Sequence, residues 1–597
     1  MPATTRTSRR SSRQPVSSAP LPGPDQWEAF QQHLAKRKSP SLASLFPDAS
    51  TSPLLWATSD ADDQSPLAPA ALVRVLARLP QKPQLASDVI ARLVQWRMVL
   101  AEQPTGETLG LAALAWCEHL PNLAAILSAE SWRGLVQDLI KLATDAAAIS
   151  PADEPLAHQL LAVELPLTLA YLFPEIVECR DLARAARKLL SWGAEELTDG
   201  EGLPAGKHWH LIGKLLACWT RCIAVCRALP EHGVDEDAQM QFEWLLRQTL
   251  RLLRENGSLC FASSSARSDT REIITAALQL IDDPEDHALA KTAFSGVVPK
   301  KKRSSEKRKA TDKDATPFPE PFVYSEWSSA GLLRGDWSLG GPRFAVKFDQ
   351  RRVDCELSVR EQILLAGEWT SEVTIDGWVW KTENDWEEVC WHTDEDVVYL
   401  EIETKLTAGW KVQRQMLLAR KDGFVLLADA VLGEEAASLS YRSVLPLADG
   451  LRWLPADETR EGHLANKRSQ ALVLPLALPE WRSQFAGGEL QSTAAGLELT
   501  QSHQGRRLFA PLLIDLVPER IRKDCTWRQL TVAEYLQIQP RDVAVAFRAQ
   551  VGKAQWSVYR SLAPKANRTF LGHNVVTECQ IARFTDNGDA EVLLEIE

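Results

Sequence analysis

HQLLAVELPLTLAYLFPEIVECRDLARAARKLLSWGAEELTDGEGLPAGKHWHLIG, His158 to Gly213, is the stretch whose reading decides the fold. Its first part, LLAVELPLTLAYLF, is apolar almost throughout, as expected of a helix buried on most faces. Phe173-Pro174-Glu175 ends that run. CRDLARAARKLLSWGAEEL follows with apolar residues at i, i+3 and i+4, an amphipathic helix. Asp199-Gly200 then makes a turn, a Gly/Pro-rich spacer continues to His208-Trp209-His210, and a third helical pattern starts at HLIGKLLACW. Helix, break, helix, glycine-rich loop, helix is the grammar of packed antiparallel helix pairs.

The same grammar extends to both sides. ALVRVLARL, SDVIARLVQWRMVLAEQ and SWRGLVQDLIKLATDA precede the stretch, and QFEWLLRQTLRLLREN follows it. The periodicity predicts about eight to ten helices between residues 66 and 295, consistent with an α/α toroid or solenoid. VVPKKKRSSEKRKATDKDATPFPEP, Val297 to Pro321, is charged and closed by prolines, and reads as a solvated linker. Beyond Pro321 the period becomes two. RFAVKFD, SEVTIDGWVW, VVYLEIETKL, WKVQRQMLLA and GFVLLADAVL read as strands, and further short strands reach the C-terminus. The expected fold is α+β and multidomain. A basic tail and lead-in (1–60) precedes an α/α toroid (61–296), a linker (297–321) and an antiparallel β-sandwich (322–597).

Composition narrows the function. The 597 residues carry a net charge of −12. That excludes a general nucleic-acid binder, which needs clustered positive charge. No run reaches the roughly 18 apolar residues of a membrane span, so no membrane partner is expected. The N-terminus, MPATTRTSRRSSRQPVSSAPLPGPDQ, lacks the apolar core of a signal peptide. Its composition is that of a disordered tail. Ten cysteines without a secreted-scaffold spacing fit reduced thiols. A cytoplasmic location is therefore expected, with a periplasmic or secreted one left open. The sequence does not fix an oligomeric state.

The order of these motifs resembles that of the heparinase II/III-like polysaccharide lyases and their alginate-lyase relatives. The resemblance rests on the Phe173-Pro174-Glu175 turn, Asp199-Gly200 and the eight residues leading to Trp209-His210. In the sandwich it rests on Val373 to Gly377 and on WKVQRQMLLARKDGFVLLADAVLG. It implies a toroid-plus-sandwich protein that acts on acidic, uronate-containing polysaccharide by β-elimination. In that reaction a cation or amide neutralises the uronate carboxylate, and a Tyr or His takes the neighbouring proton.

Carried over residue by residue, the resemblance makes His158 and His210 candidate bases and Arg352 the catalytic cation. His208, Trp209, Arg351 and Trp378 become candidate substrate contacts. Several lyase positions hold other residues. Ala157 replaces the Asn before the toroid His, and Trp209 replaces the Tyr of the Tyr-His pair. Arg351, Arg352 and Asp354 stand where a His-rich loop would be, Thr370-Ser371 replaces a His-Asn, and residues 256–269 replace a Gly-Asp loop. An indole N–H donates but cannot accept a proton. A relative that binds glycan or serves structurally without lyase activity is therefore the alternative to an enzyme with an altered site. No cofactor or metal is expected: Cys218, Cys222 and Cys226 share one helical face, but such a stripe is usually core.

Overall fold

The computed structural model describes residues 19–37, 40–58, 68–102, 106–230, 233–262, 269–295 and 318–597. The first 18 residues of the basic tail and most of the expected linker lie outside them. The described lead-in already contains a helix, Trp27–Lys36, with Leu34 buried, so folded structure starts earlier than the tail composition implied.

By internal contacts the chain divides into two units interleaved along the sequence. A helical unit comprises residues 19–202, 211–246 and 269–282 of those described, and a β unit comprises 203–210, 247–262 and 283–597. Segment 203–210, within the stretch from His158 to Gly213, thus groups with the strands.

In the helical unit, Pro69–Arg78 starts on a proline, whose missing N–H costs nothing at a first turn. Ala129–Asp145 is capped by Ser128, whose hydroxyl accepts from Ser131 N. Glu107–Leu123 and Ile212–Ala228 are buried on nearly every face, which is why their sequences lack a polar stripe. The run beginning at His158 is not a regular helix. Pro155–His158 passes into a π-helical turn, Gln159–Glu164, before Leu165–Leu172 resumes the α-helix. Among the described residues no helix is long and apolar enough to cross a membrane.

Among the described residues the β unit holds four antiparallel sheets, of five, eleven, five and four strands. The eleven-stranded sheet is apolar on both faces. Leu427 joins one core with Phe344, Cys355, Leu365 and Met416, while its neighbour Leu426 faces a second core with Trp556, Val558 and Ile581. Successive side chains on a strand point to opposite faces, so a sheet covered twice needs unbroken apolar runs such as FVLL.

Two adjacent groups on Glu107–Leu123 couple this core to pH. Burial pushes the Glu118 carboxyl up to about 7, an effect the Arg221 charge only partly opposes. Burial pushes His119 down to about 4, and its Nε2 is buried without a partner. For Glu118 the folded state holds its proton more tightly than the unfolded chain. Its contribution is therefore complete below pH 4.5 and fades as pH rises to about 7. For His119 the contribution is complete above 6.5 and fades as pH falls through about 4. The two slopes oppose each other between those limits. In urea titrations over this pH range, Glu118→Gln should leave stability rising with pH, and His119→Gln should leave it falling. Profiles that stay parallel to the parent's would refute both assignments.

Candidate functional site

Residues 203–210 are built into the β unit by backbone bonds. Gly206 N donates to Ser328 O at 2.8 Å, and Ser328 Oγ donates to Pro204 O at 3.0 Å. A side chain at Gly206 would sit 2.6 Å from Ser328 O, so the approach requires glycine. Gly206–Leu211 then forms a 3-10 turn carrying the three candidates. Trp209 is fully buried. Its Nε1 donates to Pro204 O at 3.0 Å, and its ring meets Phe261 edge-on. This corrects the expectation that Trp209 contacts substrate, since a ring inside the core cannot stack on a sugar. His208 is 9% exposed, whereas His210 and Lys207 are exposed.

The remaining contacts of this surface involve residues that the sequence did not single out. Lys347 Nζ lies 5.4 Å from the centre of the Phe261 ring and 3.5 Å from Asp354. Arg254 pairs with both oxygens of Glu356, which also accepts from Phe261 N at 2.8 Å. Trp327 precedes Ser328 and is 54% exposed, an indole beside the loop that Trp209 does not provide. Its signal was only its place at the head of eight tryptophans between 327 and 410. Of those eight, Trp337, Trp369, Trp386 and Trp410 are buried. The candidate substrate contact Trp378 is 76% exposed, on the far side of the Asp376-Gly377 turn from Ile375.

The two candidate arginines differ from expectation. Gln350 and Arg351 both have positive φ and form the two-residue connection between strands Arg343–Asp349 and Arg352–Val359. Arg351 spends its guanidinium on the carbonyls of Thr382 and Glu383, at 3.3 and 2.8 Å, and so braces a loop. Arg352 is exposed but lies 3.2 Å from both Asp354 and Glu368, which offset its charge. That pairing works against the role of neutralising a uronate.

The arginine on strand Lys411–Ala419 is fully committed to structure. Arg414 donates from Nε and Nη2 to the two oxygens of Asp429 at 2.9 and 2.8 Å, and from Nη1 to Trp369 O at 2.8 Å. Tyr441 donates to Asp429 at 2.6 Å, and the guanidinium lies 3.9 Å from the Trp369 ring centre. Burial, then the Asp429 charge, pushes the Tyr441 hydroxyl well up. This tyrosine is thus held protonated inside the sandwich.

His158 belongs to the helical unit and is fully buried, which corrects its reading as a base open to a polymer. Its Nδ1 lies 3.1 Å from Gln159 Nε2, its Nε2 has no partner, and exposed Trp192 covers it edge-on. Desolvation pushes its pKa down, so the ring is neutral near pH 7. Gln159 in turn accepts from Trp219 Nε1 at 3.0 Å, and only a glycine at 193 leaves room for its amide. One turn on, Glu164 is paired with Arg221 at 2.5 and 2.8 Å, and Arg221 also donates to Pro53 O. Among the described residues, Glu164, Cys218 and Cys222 are the group with metal-ligand spacing, their donor atoms all within 4.8 Å of one another. Burial pushes both thiols up, and Arg221 already holds the carboxylate, so the set is closed as a salt-bridged core. Cys226 is not part of it.

The structure is similar to solved polysaccharide lyases. A heparinase III structure matches with TM-score 0.59 and 11% identity, over 90% of this chain and 95% of that one. A second heparinase III structure matches with TM-score 0.59, 10% identity and the same coverage. Heparan sulfate lyase HepC from Pedobacter heparinus matches with TM-score 0.50 and 10% identity, over 94% and 91%. The chain therefore has a heparinase-like fold, an N-terminal helical toroid followed by an antiparallel β-sandwich. No protein-family profile and no curated protein sequence matches it.

Proposed function

We propose that this chain binds acidic, uronate-containing polysaccharide and does not cleave it by β-elimination. One observation carries this reading: the position resembling the lyase tyrosine is Trp209, whose ring is buried and whose N–H is already donated to Pro204 O. An indole there cannot take the proton that elimination removes. The heparinase-like fold supports the class of ligand, because fold similarity raises that prior while the site decides the chemistry. The contact residues on this reading are His210, Lys347, Trp327 and Trp378, with Arg351 as a loop brace and the Arg352 charge offset by Asp354 and Glu368. The domain boundaries 61–296 and 322–597 remain part of the proposal.

Trp327 and Trp378 test the binding half. Both rings are exposed, so removing them should leave the fold intact. In calorimetric titration with a panel of uronate polymers, Trp327→Ala and Trp378→Ala should each weaken binding about fivefold, the worth of one aromatic contact. Their thermal midpoints should stay at the parent value. Unchanged affinity in both variants would contradict this surface.

A further inference from the structure

The β unit contains a cavity of about 310 Å³ that shares no residue with the surface around 203–210. Most of its polar wall comes from one strand, Gly496–Asp515, and its apolar wall includes Phe547 and the exposed Phe485. Gln501, His503, Gly505 and Arg507 alternate along that strand and share a face. The glycine breaks the row. A side chain there would fall 2.6 Å from His503 Nε2 and 3.1 Å from Asp542. Opposite it the partner strand loses register between Leu432 and Ala437, so the wall is irregular on both strands.

Three features of this wall are unspent. Arg507 is only 9% exposed, yet its guanidinium makes no hydrogen bond among the described residues. The carboxylate near it, Glu434 at 3.6 Å, is itself 90% exposed, and such surface pairs hold little energy. His503 Nε2 and Gln501 Oε1 are buried polar atoms without hydrogen-bond partners. Arg541 adds a second guanidinium to the lining, and its charge acts on His503 against that of Asp542. Buried polar groups are ordinarily satisfied, so two unsatisfied ones beside a weakly paired guanidinium around one cavity call for a ligand that supplies the complement. The complement has an anionic oxygen pair for the guanidinium, a hydroxyl donor for the Gln501 oxygen, a hydroxyl for His503 Nε2 in either tautomer, and a C–H face for Phe485.

We propose that this cavity is a binding site for one small hydroxylated carboxylate, the size of a single sugar acid. The volume is at the low end of the roughly 300–1,000 Å³ typical of small-molecule sites, which favours one ring over a polymer. The assignment stands independently of polysaccharide binding at the other surface.

Calorimetry or ligand-detected NMR with sodium glucuronate, glucose and a glucuronate-containing oligosaccharide tests it on the full chain. Glucuronate should bind and glucose should not. Arg507→Gln should weaken glucuronate about tenfold or more, the effect of losing a charge-assisted pair. Trp327→Ala should leave glucuronate binding unchanged, which separates this site from the polymer surface. Oligosaccharide binding that Arg507→Gln weakens would assign the cavity to a chain end, and oligosaccharide binding indifferent to Arg507→Gln would assign it to a free acid. Should Arg507→Gln fail to fold, Arg541→Gln, at an exposed position, gives the same reading with a smaller loss. Absence of glucuronate binding, equal binding of glucose, or full affinity in both arginine variants would overturn the proposal.

Discussion

Arg414→Ala is expected to cost the β unit about 3–5 kcal/mol, because it leaves Asp429 charged and unpaired in a dry interior. Both groups are fully buried, and the guanidinium also holds the Trp369 carbonyl and lies over the Trp369 and Trp386 rings. Its removal therefore strips four interactions at once, and among the described residues only the Tyr441 hydroxyl is left to donate from a side chain to the stranded carboxylate. Tryptophan fluorescence during urea unfolding reads the effect, because Trp369 and Trp386 sit at the site. The β transition should move to far lower urea with its slope retained. A midpoint shift worth under about 1 kcal/mol, the range of an exposed pair, would show that Arg414 is solvated.

The second large effect is in the helical unit. Arg221→Ala should also cost about 3–5 kcal/mol, by leaving Glu164 as a lone buried charge. The same change removes the Arg221 charge that opposes burial at Glu118, so Glu118 should titrate higher still. The double variant Arg221→Met/Glu164→Leu separates pairing from packing. It removes both charges and keeps apolar volume, so it should recover most of the loss and approach or exceed the parent. Losses that simply add in the double variant would contradict a direct pair. Far-UV circular dichroism in urea follows this transition through its helices.

Much of the architecture was legible in the sequence because it rests on periodicity. The change from period 3.6 to period 2 beyond Pro321 marks the change from helices to strands. The Asp376-Gly377 dipeptide marks the connection between Thr370–Ile375 and Trp378–Trp380. What was illegible depends on partners distant in the chain. Arg414 and Asp429 are directly opposed cross-strand residues, a fact of register that neither strand states alone. Arg351 looks like a free cation in the sequence and becomes a brace only because its turn faces residues 382 and 383. The loop at 203–210 reads as a helix connection, yet its residues pack with strands, and this buries the tryptophan that resembled a site residue. Composition alone does not sort the indoles. Abundance predicts stacking surfaces and cores equally well, and only exposure separates Trp327 and Trp378 from the buried four.

The central claim is binding without elimination, and one titration tests it directly. Purified protein is mixed with a panel of uronate polymers while heat of binding and near-ultraviolet absorbance are followed together. The account predicts heat from at least one polymer and no growth of the absorbance that an unsaturated uronate would give. Absorbance that grows with time and is abolished by His210→Ala would contradict it, and would make that exposed histidine the base of a working lyase.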